Sequence, residues 1–215
     1  MYLSETEKQA IEARVAALEA ASGVEIVTMV VDKADVYPEI VWKAFALGAS
    51  LAGLAVSACE ILSPAWSVAG AALVDALVIL GAGAVCAVLT LYLPAFARLF
   101  LRPSRAELEV RQYAEVQFLA REMFATPDRT AILLLTSLLE HRIVLLPNRG
   151  MAARVAPAAW DAVIARMTPL LRSRETAAAV LAGLDAIGEI LAAKGLRRGE
   201  GGNRFPDHPV EVRAP

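Results

Sequence analysis

Two charge-poor apolar runs in the middle of the chain, at 41–59 (VWKAFALGASLAGLAVSAC) and 76–96 (ALVILGAGAVCAVLTLYLPAF), constrain what the rest can fold into. A helix needs about 20 mostly apolar residues to cross a hydrocarbon core ~30 Å thick. The first run carries only Lys43, close enough to its start to snorkel to the interface, and the second carries no charge and has Pro94 near its end. A pair of helices buried in a soluble bundle would share this composition. A helix apolar on every side, however, needs lipid or a large protein around it, and 215 residues offer no such cover. The runs therefore read as a transmembrane hairpin. Gly48, Ser50 and Gly53 on one run and Gly81 and Gly83 on the other are expected to let the two backbones approach closely.

The loop at 60–75 begins and ends with a carboxylate, contains Pro64 and Trp66, and has no Lys or Arg. Lys33 and Lys43 lie on the outer flank of the first run, and Arg98, Arg102, Arg105 and Arg111 on that of the second. The positive-inside rule then places the loop outside and both termini in the cytoplasm, with the chain integral to a bacterial inner membrane. The first residues, MYLSETEKQA, are polar and partly acidic, so no cleavable signal peptide is expected and the first span is expected to do the targeting.

Outside the hairpin the patterning is that of a water-soluble α/β domain. Ser4 and Glu7 have capping-box spacing, and Ile11, Val15 and Leu18 recur at helical intervals before Ser22-Gly23, which predicts a first helix over 4–21. Residues 24–31 (VEIVTMVV) predict a buried strand. Beyond the hairpin, Ser104 and Glu107 suggest a second capping box and a helix over 104–124 whose apolar side includes Tyr113, Val116, Phe118, Leu119 and Met123. A strand over 130–139, a turn at Glu140-His141-Arg142 and a strand over 143–146 follow as an antiparallel pair. Helices are predicted from Pro157 and over 175–194.

The domain is thus read in pieces: 1–40, the hairpin at 41–97, then 98–195, and a flexible tail at 196–215, mobile up to Phe205-Pro206. The element order fits an α/β fold, a small mixed sheet covered by helices, with the first two strands parallel and joined through the hairpin.

The net charge of −2 and the absence of a basic stripe exclude general nucleic-acid affinity. Cys59 and Cys86 both lie in the apolar runs, as small hydrophobes and not a disulfide framework or metal site. There is no G-x-S-x-G, no Walker loop and no H-E-x-x-H. The polar groups able to carry chemistry are Asp32 after the first strand, Asp128 and Arg129 before the second, and Glu140, His141 and Arg142 at the turn. Ligands of open α/β sheets sit beyond the carboxyl ends of strands, so parallel first and second strands would bring Asp32 and Glu140 to one edge. They could share a divalent cation there, such as Ca or Mg, with carbonyls and water completing its shell. Solvated strand-end residues would show the same pattern. His208 in the tail reads as a residue without a chemical role, and two histidines with no Cys outside the apolar runs exclude a dedicated zinc cage.

The residues Ser22-Gly23-Val24-Glu25-Ile26-Val27, Phe118, the run 130–139 into Glu140-His141-Arg142, the stretch 148–155 (NRGMAARV), Trp160 and Asn203-Arg204-Phe205-Pro206-Asp207 together resemble the TPM domain family, nearest to bacterial members with a membrane hairpin inside the domain. The resemblance covers nearly the whole chain and rests on order and spacing. It implies an α/β/α sandwich and a membrane-associated role in assembly or maintenance of membrane proteins, with a membrane-protein partner or a homo-oligomer. For other members it implies divalent-cation binding and phosphatase activity. Two functions follow as expectations: a non-enzymatic interaction module anchored in the lipid bilayer, or a cation-dependent phosphatase using Asp32 and Glu140.

Overall fold

The computed structural model describes residues 2–62, 71–126, 129–195 and 205–212. Among them, in chain order, α1 (Glu5–Ser22) and β1 (Glu25–Val31) precede two long helices, α2 (Pro38–Leu62) and α3 (Ala71–Tyr92), and the short α4 (Pro94–Arg98). Then come α5 (Pro103–Ala120), β2 (Ala131–Ser137), β3 (Arg142–Pro147), the single turn α6 (Arg149–Ala152), α7 (Pro157–Arg172), α8 (Thr176–Ala193) and β4 (Val210–Val212). The chain forms two compact units: Met1–Asp35 with Pro103–Pro215, and Val36–Arg102.

The first unit is built on a four-stranded mixed sheet of order β3-β2-β1-β4. β1 and β2 pair in parallel, from Glu25 opposite Ala131 to Val31 opposite Ser137. β2 and β3 pair antiparallel. Every residue of β1 and β2 is buried, as a strand covered on both faces requires. Val24, Ile26, Val30, Ile132 and Leu134 face a core shared with α1, α7 and α8. Val27, Met29, Val31, Leu133 and Leu135 face the other way, onto Val110 and Ala114 of α5 and onto Met123. Side-chain alternation along the two central strands thus divides the helices into two layers.

α1 is held at its start by the predicted capping box, with Ser4 Oγ accepting from the Glu7 N–H at 3.3 Å and Glu7 Oε2 accepting from the Ser4 N–H at 2.7 Å. It stops at Gly23, whose φ of 70° closes the last turn onto the Glu19 carbonyl.

α5 departs from expectation in two respects. It begins at Pro103, so Ser104 lies in its first turn and not at the cap, and it ends at Ala120 because Glu122 turns to φ 52°. Met123 is then buried from a separate 3-10 turn. The buried stripe is Ala106, Val110 and Ala114, while Val116 and Leu119, expected on the core side, are 60% and 62% exposed.

β4 was not expected. Val210–Val212 lies parallel to Met29, Val30 and Val31, so the distal part of the tail is a sheet edge; the part at 196–204, where mobility was expected, lies outside the described residues. The strand is clamped by Glu211, whose Oε1 accepts from the N–H groups of Tyr2 and Leu3 at 2.9 and 2.8 Å and whose Oε2 lies 3.3 Å from Lys8 Nζ.

In the second unit the two apolar helices pack against each other. A Cβ on Gly48 would lie 2.7 Å from both the Ala82 carbonyl oxygen and Cys86 Sγ, and one on Gly83 would lie 2.8 Å from the Phe45 ring. These two glycines permit the close approach; Gly53, at 3.7 Å from Ile79, and Gly81, with open space around it, do not limit it. Both helices exceed their predicted spans at the loop side, so Glu60 and Asp75 are helical, and Pro64 and Trp66 lie outside the described residues. The second breaks at Leu93-Pro94, as the missing proline N–H demands. Lys43 reaches the Phe100 carbonyl at 3.2 Å.

Three helices among the described residues are long and apolar enough to cross a membrane: α2, α3 and α8. In α2 and α3 only 6% of the apolar window is buried, so Leu51, Leu54, Leu77 and Leu91 point outward. In α8 the figure is 44%, with Val180, Leu184, Ile187 and Leu191 in the core and Asp185 and Glu189 paired to Arg14 and Arg166 at 2.7 and 3.0 Å.

Candidate functional site

Parallel pairing of β1 and β2 carries their carboxyl ends out at one edge, and the backbones stay joined beyond the strands. Leu138 N–H donates to the Val31 carbonyl at 2.9 Å and Leu139 N–H to that of Asp32 at 2.7 Å. Asp32 and Glu140 therefore do reach the same edge. Asp32 Oδ1 accepts from the Lys33 N–H at 2.8 Å, a local turn that fixes the exit from β1.

Glu140 is bound into the fold by both of its oxygens. It is 8% exposed; one carboxylate oxygen accepts from the Ala34 N–H at 2.8 Å and the other from the Ser137 hydroxyl. A charged acceptor satisfying a backbone donor from a distant loop is a strong link. Glu140 thus ties the segment after β1 to the end of β2. Carboxylates that hold a metal are commonly hydrogen-bonded as well, and among the described residues there is no group of three or more His, Cys, Asp or Glu that could hold one.

On the α5 side, burial raises the Tyr113 hydroxyl pKa, and the negative charge of Asp32 raises it further, against the pull of Arg121. Arg121 Nε is itself buried without a hydrogen-bond acceptor among the described residues. Asp35 pairs with Arg105 at 3.3 Å.

On the α7 side of the β2–β3 turn lies a cavity of about 200 Å³. The turn supplies His141, held at φ 49°, together with Arg142 and Ile143. α7 supplies Ile164, Thr168 and Arg172, which sit four residues apart and so share one helix face. Glu140 completes the wall. Of these, Glu140, His141 and Arg142 were legible as candidates from the sequence; Arg172 and Thr168 were missed. The remaining candidates are elsewhere: Arg129 precedes β2, at the opposite end of that strand, and His208 lies in the segment leading into β4. Asp128 is outside the described residues.

A second carboxylate group gathers where the tail crosses the start of β1. Glu19 Oε1 accepts from the Ile26 N–H at 2.7 Å, and Glu25 Oε2 from the Phe205 N–H at 3.2 Å. Burial pushes the Glu19 carboxyl up to about 8, helped by the charges of Asp207 and Glu25. Burial also acts upward on Glu211, but the Leu3 and Tyr2 donors and Lys8 outweigh it and lower that carboxyl.

No family model and no curated protein matches the chain. Among solved structures it is similar to the NMR structure of the BA42 protein from the psychrophilic bacterium Bizionia argentinensis, with a TM-score of 0.59 and 11% identity over 99% of this chain and 97% of that one. At that identity the likeness establishes a common fold and carries no chemistry across.

Proposed function

We propose that the chain is a membrane-anchored, TPM-like interaction module that serves assembly or maintenance of membrane proteins without catalysing a reaction. The observation that carries this is the pair α2 and α3, whose apolar side chains face outward along their length and need lipid around them. The soluble unit adds an outward apolar stripe on α5, where Leu108, Val116 and Leu119 suit a membrane-protein partner. Against catalysis stands the use of Glu140 as a bracket: both of its oxygens are occupied by Ala34 and Ser137.

The test is made on the full chain extracted in mild detergent. Chemical crosslinking in intact membranes followed by purification is expected to yield one recurrent membrane-protein partner, and a generic phosphoester assayed with Ca or Mg is expected to show no turnover. Turnover that chelator abolishes, and that Asp32→Asn and Glu140→Gln both remove, would overturn the reading in favour of a cation-dependent phosphatase. Crosslinking only to further copies of the chain would replace the partner by self-assembly and equally sink the proposal as stated.

A further inference from the structure

Two arginines, Arg142 and Arg172, are among the residues that line the 200 Å³ cavity between the β2–β3 turn and α7. Neither makes an ion pair or a side-chain hydrogen bond among the described residues, whereas four of the other arginines in this unit, Arg14, Arg105, Arg111 and Arg166, are paired with carboxylates. Glu140, the carboxylate in the cavity wall, forms an ion pair with neither arginine among the described residues; its oxygens accept from Ala34 and Ser137. The Thr168 hydroxyl donates to the Ile164 carbonyl at 2.7 Å, so its proton is already used and the arginines supply the charged donors. Ile143, buried, and Ile164, half-buried, are the apolar residues of a lining that is otherwise polar.

We infer that this cavity is an anion-binding site for a small phosphate-type oxyanion, gripped between Arg142 and Arg172. The planar guanidinium fork matches two oxygens of such an anion, and two forks from different elements can hold it from two directions. Size narrows the class. Drug-sized and cofactor ligands occupy about 300–1,000 Å³, so a 200 Å³ cavity takes a phosphate or the phosphate end of a monoester and not a whole nucleotide. His141, also in the lining, has a positive φ of 49° where the chain turns between the two strands. The site is one of binding, and it stands whether or not the membrane-anchor reading holds.

The shared chemistry is the phosphate group, whether it comes from a soluble phosphomonoester or from a lipid headgroup. Full-length protein in phosphatidylcholine nanodiscs is titrated with inorganic phosphate and with phenyl phosphate, and binding is followed by calorimetry. Saturable binding is expected, weakened about tenfold by Arg142→Gln or by Arg172→Gln, as loss of one charged hydrogen-bonding partner implies, and abolished by the double variant. Arg166→Gln, on the same helix but paired with Glu189, is expected to bind as the parent does. Repeating the titration in nanodiscs containing phosphatidic acid separates the sources: unchanged affinity assigns a soluble ligand, and competition assigns the headgroup. Absence of saturable binding in folded protein, or binding undiminished in the double variant, overturns the site. The thermal melt of each variant shows whether it is folded.

Discussion

Three carboxyl groups meet where the end of the chain crosses the start of β1, and Glu19 carries the consequence. Its pKa in the folded protein is about 8, through burial first and then the charges of Asp207 and Glu25. An unfolded glutamate titrates near its ordinary value, so between that value and pH 8 the folded state holds a proton that the unfolded state has lost. Stability from this group is therefore greatest at low pH and declines as pH rises through 8. Glu19→Gln keeps an acceptor for the Ile26 N–H and removes the titration. It is expected to leave stability at pH 5 nearly unchanged and to raise it at pH 9 by on the order of 1 kcal/mol, discounted for the solvent that reaches a half-buried side chain. Chemical denaturation at the two pH values checks this, and equal curves for parent and variant at pH 9 would disprove it. None of this was legible in the sequence, because Glu19 and Asp207 are brought together only by the docking of β4. The same holds for Arg172: its partner in the cavity wall, Arg142, is thirty residues away, and the one local signal was a polar Thr168 and Arg172 on a helix face that also carries Ile164. Glu140 was legible as a residue at the right edge, but its role was not, since the Ala34 donor belongs to a loop over a hundred residues earlier.

Elements with strong local codes were readable, and those without them were not. α1 follows from a capping box and a glycine stop, β1 and β2 from runs of β-branched and aliphatic residues, and α7 from Pro157 at its first turn. β4 has three residues, follows a proline and contains Glu211, so its strand character comes from the edge of β1 and the clamp on Tyr2, Leu3 and Lys8. In the paired helices α2 and α3, spacing suggested five small residues as packing positions, and geometry separates two glycines that act from two that do not. Gly48→Ala places its methyl against the Ala82 backbone oxygen, which cannot rotate away, so α2 and α3 must part locally. Gly53→Ala meets only the end of Ile79 at contact distance. In detergent or nanodiscs, Gly48→Ala is expected to lower stability by about 1–3 kcal/mol and Gly53→Ala to change it little. A comparison of thermal melts decides, and equal effects at the two positions would show that the helices do not pack through Gly48.

At the scale of the whole molecule the proposed membrane anchor raises the question of which side of the bilayer the α/β unit would occupy. β1 precedes α2 and β2 follows α3, yet the two strands pair along seven residues. An even number of crossings between them is therefore required, because an odd number would separate the strands and leave buried backbone groups without partners, at several kcal/mol each in lipid. α8 is apolar enough to count as a third span, but it lies after β2, contributes a large share of its surface to the core, and holds Asp185 and Glu189 in ion pairs with α1 and α7. Two crossings, α2 and α3, satisfy the pairing. Lys33 and Lys43 on one outer flank and Arg98, Arg102 and Arg105 on the other then choose the side, since residues 60–75 between the spans contain carboxylates and no Lys or Arg. The prediction is a cytoplasmic α/β unit with both termini inside. After replacement of Cys59 and Cys86 by serine, a cysteine at Ser67 is expected to react with a membrane-impermeant maleimide in intact cells, and one at Ser173, exposed at the end of α7, only after lysis. The reverse pattern would invert the orientation. Labelling of both sites in intact cells would break the requirement for two crossings, and with it the role of α2 and α3 as the membrane anchor.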